Sequence, residues 1–440
     1  MSSWRPRVVV LLALALGAGG CIGRSDSGPG ETPTEVRIGL IAALTGDNKP
    51  AGVEAQRGAQ LAADVVNGLH SLIPLPLANE SGLTNLANAR IRIITRDVKT
   101  GPDAGTAAAN AVTSMVASQG VVAVVGGYDA DVTVKASQRA ERIPVPFVNA
   151  DTSVSFLTER GLDWFFRIGP SDRNAGEAFF SLLKAAKAKG QPVSRIAILH
   201  ATDKGGNDVH GVVNELTEES GGFEVVAEES FDPAAADLVP QVTRVQQANP
   251  DVVFLAPTPK TVPVLIKAFA QRQYKPRGVL AYGSGFLDIS VLKNAGPAVT
   301  GLCREVAWSY DLASRNDAAR AVADLYQRKY NSPMTEEAAS TFTAVLTLAV
   351  AINEARSTQA RRIRSELLSL DIPGKDTIMP WGGIRFDATH ENASALSVVE
   401  QFTDMSFRPV FPVDAASKDK PFQYPAPGAT VGTPPAAGQP

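Results

Sequence analysis

The chain has 440 residues, room for two or three domains at roughly 100–200 residues each. Hydrophobic residues are 44% and charged residues 20%, which excludes disorder of the whole chain and suits large buried cores. Lys plus Arg is 42 and Asp plus Glu is 45, so a net charge of -3 offers nucleic acid no basic face, and two cysteines exclude a disulfide-dense scaffold.

Residues 1–20 read as an export signal. Arg5 and Arg7 make a basic start, and Val8 to Leu16 is an apolar run too short to span a bilayer, which needs about 20 residues. It ends in Ala18-Gly19-Gly20-Cys21. Small residues before a cysteine resemble a bacterial lipobox, with alanine where the motif usually has leucine. The resemblance implies acylation of Cys21; the alternative is an ordinary cleavage nearby with Cys21 incidental. Residues 21–34 are rich in Ser, Gly, Pro and Thr and read as a flexible tether to a membrane surface. An acylated Cys21 leaves Cys303 without a disulfide partner. Cys303 then reads as a small buried apolar residue.

The body alternates strands and helices. Val36 to Ala42 is an apolar strand ending at Thr45-Gly46, and Gly52 to Leu69 shows a helical apolar face. Strands follow at Arg90 to Arg96, Val121 to Val125 and Pro144 to Val148, with helices at Ala104 to Ser118 and Asp131 to Arg142 between them. Segment 153–170, with Trp164 to Pro170, leads to a second round. Its helices are Ala175 to Lys189, Val209 to Ser220, Leu238 to Ala248 and Val262 to Arg272. Its strands are Arg195 to Leu199, Phe223 to Phe231, Asp251 to Leu255 and Gly278 to Tyr282. Wholly apolar strands between helices predict parallel sheets buried on both faces, here in two doubly wound lobes. Helices near 315–330, 336–356 and 359–369 come next, then strands at Gly383 to Asp387 and Ala395 to Phe402. Residues 413–440 form a Pro/Ala/Gly tail, expected to be disordered.

Several short segments, in order, resemble one family. They are Ile38 to Gly46, Val121 to Gly127, Phe166-Arg167-Ile168-Gly169-Pro170-Ser171-Asp172, Asn249 to Leu255 and Gly383 to Asp387. Together they resemble the type I periplasmic-binding proteins, the branched-chain amino acid-type solute-binding proteins of ABC transporters, over about Val36 to Pro412. The resemblance implies an α/β Venus flytrap: two Rossmann-like lobes joined by three crossovers, with a small solute bound between them. It places lobe 1 at 35–153 and 286–373 and lobe 2 at 154–285 and 374–412. It implies a monomeric, non-enzymatic protein without a cofactor, lipid-anchored outside the cytoplasm (periplasmic or outer face by envelope type) and serving an ABC permease. A flytrap sensor or structural envelope lipoprotein acting on a partner protein is the alternative, and a hydrolase using cleft aspartates is a third class.

Ligands of open α/β sheets sit beyond the carboxyl ends of the strands. Those ends carry Thr45, Tyr128, Asp129, Asp131, Ala150, Asp151, Thr152, Asp203, Thr258 and Ser284, the candidate ligand-binding residues. In amino-acid-binding relatives a Ser-rich loop and an Ala/Ser-x-Thr loop hold the ligand carboxylate. Here Asp131 falls near the serine, while Thr152 keeps the hydroxyl. Asp131 and Asp151 read either as helix N-caps or as partners for a cation or hydrogen-bond donors. The second lobe has Asp203-Lys204-Gly205-Gly206 where relatives carry Tyr-Gly, and Lys260 where an acid typically holds an α-amino group. Both departures argue against a plain α-amino acid.

His200, His210, Asp203 and Asp208 are too loosely spaced to read as a metal site. No dinucleotide, Walker or Gly-x-Ser-x-Gly motif is present. Asp97 reads as a cap or surface acid. Glu336-Glu337 opens a helix at its positive end. Arg361-Arg362-Ile363-Arg364 is a basic patch, read as a solvated face.

Overall fold

The computed structural model describes residues 33–282, 286 and 289–430. Residues 1–32, including Cys21, and Ser284 lie outside the described residues.

The first half alternates β1 (Glu35–Ala42), α1 (Lys49–Asn67), β2 (Arg90–Asp97), α2 (Ala104–Gln119), β3 (Val121–Gly126), α3 (Ala130–Arg142), β4 (Phe147–Asn149) and β5 (Phe165–Arg167). These five strands are parallel in the order β2-β1-β3-β4-β5. The second half runs α4 (Asp172–Ala188), β6 (Arg195–Ala201), α5 (Lys204–Ser220), β7 (Glu224–Phe231), α6 (Val239–Ala248), β8 (Val252–Ala256), α7 (Thr261–Gln271), β9 (Val279–Ala281), α8 (Ile289–Ala295) and β10 (Leu302–Val306). The chain then adds α9 (Tyr310–Ala313), α10 (Asp317–Tyr330), α11 (Glu336–Ala355), α12 (Ala360–Ser369), β11 (Ile372–Pro373) and β12 (Gly383–Ile384). It ends with β13 (Val398–Thr403) and β14 (Ser406–Phe411), antiparallel at the edge of the second sheet, whose order is β14-β13-β10-β9-β8-β6-β7.

The parallel part of each sheet has the same winding, and the same local device starts the first helix of each. A side chain on Gly52 would meet Ala43 O at 2.0 Å, and one on Gly206 would meet Ala201 O at 2.0 Å. Only glycine lets α1 and α5 begin pressed against the strand they follow. β3, with sequence VVAVVG, and β8, with VVFLA, are buried almost throughout, as strands covered on both faces must be. α11 is long and apolar enough to cross a membrane, but 89% of its apolar window is buried in the core of lobe 1.

The chain crosses between lobes later than the sequence places it. β5 still pairs with β4, and β10 with β9. Ile378, Met379, Trp381, Ile384 and Phe386 belong to the core of lobe 1. The crossings therefore fall between 168 and 172, between 306 and 317, and between 386 and 398. The boundaries at 153, 285 and 373 are corrected accordingly. The reason is that sheet membership is set by pairing partners distant in the chain, which a three-residue strand such as Phe165–Arg167 does not announce locally.

The tail is also corrected for its described part. Residues 413–430 pack on lobe 2 instead of staying disordered. Tyr424 is buried in that lobe's core. Gln401 and Gln423 exchange hydrogen bonds of 2.9 and 2.8 Å, and Ala426 N donates to Arg277 O at 2.7 Å. Gly301 leaves room for Ala426, since a Cβ there would lie 2.4 Å from the alanine methyl. Proline-rich backbone has few amide donors to satisfy, so one anchoring tyrosine and a few paired amides suffice to hold it. Cys303, in β10, is buried as expected, and burial pushes its thiol pKa far up.

Candidate ligand-binding site

A cavity of about 970 Å³ lies between the lobes, beyond the carboxyl ends of both sheets. The loops after β3 and β4 line it from lobe 1, and those after β6, β7 and β8 from lobe 2. The end of β10 and the start of α11 close its floor.

On the lobe 1 side, Asp129 is the N-cap of α3. Its carboxylate accepts from Asp131 N at 2.9 Å and Val132 N at 3.2 Å. Burial raises its pKa, and those two amides oppose the rise. Asp131 is not the cap. It stands exposed in the first turn and pairs with Lys204, the first residue of α5 in the other lobe. Asp203 caps α5, accepting from Gly206 N at 2.7 Å. Asp47 and Lys260 make a second pair across the cavity at 2.7 Å.

Thr152 lines the cavity, but its hydroxyl is committed: it donates to Gly127 O at 2.5 Å and meets Thr133 Oγ1 at 2.7 Å. Thr258 lines it too, with its hydroxyl on Pro233 O at 3.0 Å. Tyr128, Ala150 and Asp151 are in the lining. Thr45 is not. Its hydroxyl donates to Asp97 Oδ2 at 2.7 Å, while Asp97 Oδ1 accepts from Leu44 N, so this residue closes the turn after β1 rather than facing a ligand.

The floor is acidic, and sequence reasoning missed most of it. Asp151, Asp172, Glu305, Glu336 and Glu337 converge there from four chain segments. Burial comes first in raising the carboxyl pKa of Asp151, and the Glu337 charge comes second; the Thr341 hydroxyl opposes both. Asp172 and Glu336 are likewise pushed well up by burial, then by the charges of Asp208 and Glu305 respectively. Glu336 Oε1 accepts from Ala307 N at 2.9 Å, while its buried Oε2 has no partner. Tyr282, 1% exposed, lines the same floor with its hydroxyl unpartnered. In sequence, Glu336 and Glu337 signal only a helix start. Asp172 signals only the first turn of α4. In all, ten carboxylates and three lysines line the cavity, and two of the lysines are already paired with cavity carboxylates.

Among the described residues no group of three His, Cys, Asp or Glu is placed to hold a metal ion. His200 and His210 stack at 4.7 Å, and His210 engages Glu228.

Two doubly wound lobes, three crossings and a cavity between the lobes define a two-lobe α/β binding protein. A sequence model of the family described as periplasmic binding protein matches residues 35–404, and the chain belongs to this family. It is 23% identical over 389 residues to Leu/Ile/Val-binding protein homolog 8 of Brucella abortus, covering 87% of this chain and 92% of the relative. Homolog 7 of the same species is 21% identical over 403 residues, at 89% and 95% coverage. Among solved structures it resembles the leucine binding protein LivK of Thermotoga maritima, with a TM-score of 0.70 and 20% identity over 85% of this chain and 97% of that one. LivJ of Streptococcus pneumoniae, in complex with isoleucine, gives 0.68 and 19% at the same coverage. A Rhodopseudomonas palustris solute binding protein in complex with 3,4-dihydroxybenzoic acid gives 0.66 and 18%, over 87% and 95%. The two-lobe α/β fold implied by the motifs is borne out.

Proposed function

We propose that the protein is the extracytoplasmic solute-binding lipoprotein of an ABC importer, anchored through Cys21, and that its ligand offers the cavity cationic or donor groups instead of a carboxylate. The relatives named above carry the transport half of this reading. The observation that carries the ligand half is the charge of the cavity. Ten carboxylates face three lysines, two of which are already paired. A ligand carboxylate at ~4 Å from any cavity carboxylate that stays ionised would be repelled by roughly 4 kcal/mol at an effective dielectric near 20. The same fold holds isoleucine in one neighbour and a dihydroxybenzoic acid in another, so the fold leaves the ligand open. A cavity of about 970 Å³ favours capture of a solute over a purely structural role. Hinge closure across the Asp131–Lys204 and Asp47–Lys260 pairs would bury the solute.

Thermal unfolding against a panel of solutes tests this. A ligand at about a thousand times its dissociation constant stabilises by roughly 4 kcal/mol. Diamines, guanidines and cationic amides should shift the midpoint. A shift with isoleucine or leucine, and none with cations, would overturn the ligand assignment. Acylation is read separately, as radiolabelled palmitate incorporation lost in Cys21→Ala.

A further inference from the structure

The carboxyl ends of the lobe 1 strands face the cavity, and their amino ends make the opposite edge. The chain enters β1 at that edge, where Arg90 N donates to Thr34 O at 3.0 Å. α1 also ends there. Asn67 exchanges hydrogen bonds of 2.8 and 2.7 Å with Ile91, the register partner of Val36. The loop that follows is firmly held. His70 N donates to Ala78 O at 2.7 Å, Ile73 N to His70 O at 2.8 Å, and Gly82 N to Val66 O at 2.8 Å. Ile73, Leu75 and Ala78 point into the core at 5%, 6% and 0% exposure. From this pinned loop Leu69 and Leu72 stand out at 74% and 88% exposure. Arg37, Arg90 and Arg92 stand at the same ends of β1 and β2, where Glu35 is shared between Arg37 at 2.7 Å and Arg92 at 3.6 Å.

We infer that this edge of lobe 1 rests on an anionic bilayer, with Leu69 and Leu72 seated among the lipid headgroups. The inference rests on the reading of Cys21 as the lipid anchor. Twelve residues separate Cys21 from Thr34. A segment of that length reaches at most about 40 Å. The anchor therefore keeps the bilayer within reach of the edge at which the chain enters β1, which is the edge that carries the two leucines. Apolar side chains projecting from a rigid, basic-rimmed loop suit shallow insertion into an anionic leaflet. The contact leaves the cavity, at the other ends of the strands, open to solute. It is a capture position, and delivery to a permease requires leaving it.

The test uses the acylated full chain with Leu72→Cys. Cys21 is blocked by lipid and Cys303 is buried, so an environment-sensitive fluorophore labels position 72 alone. Lys189→Cys, exposed in lobe 2, is the control. On vesicles of phosphatidylethanolamine and phosphatidylglycerol, the label at 72 should shift to the blue, be quenched by brominated lipid and be shielded from iodide. The label at 189 should not. Flotation of the Cys21→Ala chain should be weak, sensitive to salt, and lost with Leu69→Ser/Leu72→Ser. A label at 72 as open to iodide as that at 189, on protein that floats, overturns the insertion and spares the anchor. Wild type floating no better than Cys21→Ala removes the anchor, and the label at 72 placed in the Cys21→Ala chain then decides the insertion. A wild-type chain that does not float overturns both.

Discussion

Arg167, at the end of β5, donates to Glu391 Oε2 at 2.9 Å where the first and third crossings between the lobes touch. Arg167 is 1% exposed. Its guanidinium also reaches Val154 O at 2.6 Å and Thr158 Oγ1 at 3.1 Å. Its backbone bonds flank the pair: Arg167 N donates to His390 O, and Asn392 N donates to Arg167 O, each at 3.0 Å. One side chain thus fastens the two hinge segments together.

Removing one member of a buried pair strands the other, at a cost of about 3–5 kcal/mol. Glu391 keeps some exposure, so Arg167→Met should cost about 3 kcal/mol, read in urea unfolding. Glu391→Gln keeps an acceptor for the guanidinium and should cost less than half of that. Equal losses would show that the charge of Glu391, and not the wiring of Arg167, holds the hinge.

The loop aspartates divide by role. Asp129 caps α3, so Asp129→Ala should lower stability by about 1 kcal/mol, and Asp129→Asn should restore most of it. Asp131 is exposed and joins lobe 1 to Lys204. Asp131→Ala should leave the apo unfolding midpoint within about 0.5 kcal/mol of wild type, as exposed pairs do. Its effect should appear in ligand dissociation. A larger loss of apo stability for Asp131→Ala than for Asp129→Ala would reverse the assignment.

Much of the fold was legible because its strands are short, wholly apolar runs closed by Gly, Asp or Asn, as in Val121–Gly126 and Val252–Ala256. β5 and β10 were not, and β14 was missed altogether. Phe165–Arg167 reads as a connector until Phe147 and Val148 pair with it. The site was half legible. Tyr128, Asp129, Asp131, Asp151 and Asp203 follow from the rule that ligands meet the carboxyl ends of strands, and all line the cavity. Thr45 obeys the same rule but is spent on Asp97. Asp172, Tyr282, Glu305, Glu336 and Glu337 become neighbours only when the crossings converge, and no local pattern encodes that meeting. In the tail, composition argued for disorder, while one residue, Tyr424, supplied the burial that composition averages away.

Tyr424 gives the tail a direct test. It is 9% exposed within the lobe 2 core, beside Gly278. Truncating a buried aromatic costs about 3–5 kcal/mol. Tyr424→Ala should approach the lower figure and should speed amide exchange at Ala426, whose N–H is held by Arg277 O. Unchanged stability would mean that the tail is not docked.

The cavity floor predicts how stability and binding respond to pH. Asp151, Asp172, Glu336 and Glu337 all have raised pKa values in the folded state, with burial the leading cause. A carboxyl raised on folding binds its proton more tightly in the native than in the unfolded chain. Its stabilising effect is complete below the ordinary carboxyl value near 4, and is lost as pH climbs through the raised value. The apo protein should therefore lose stability from about pH 4 upward. Charges facing this floor include Glu305 and Asp208 as further acids and Arg304 as the nearby cation, itself paired with Glu400 at 3.0 Å. A bound cation would replace those protons. Its affinity should rise with pH over the same interval, with proton release visible as a buffer-dependent heat in calorimetry. Asp151→Asn should cut that affinity at least tenfold and remove part of the released proton. An affinity for cations that stays flat with pH would place the ligand away from this floor, against the rim pairs Asp131–Lys204 and Asp47–Lys260.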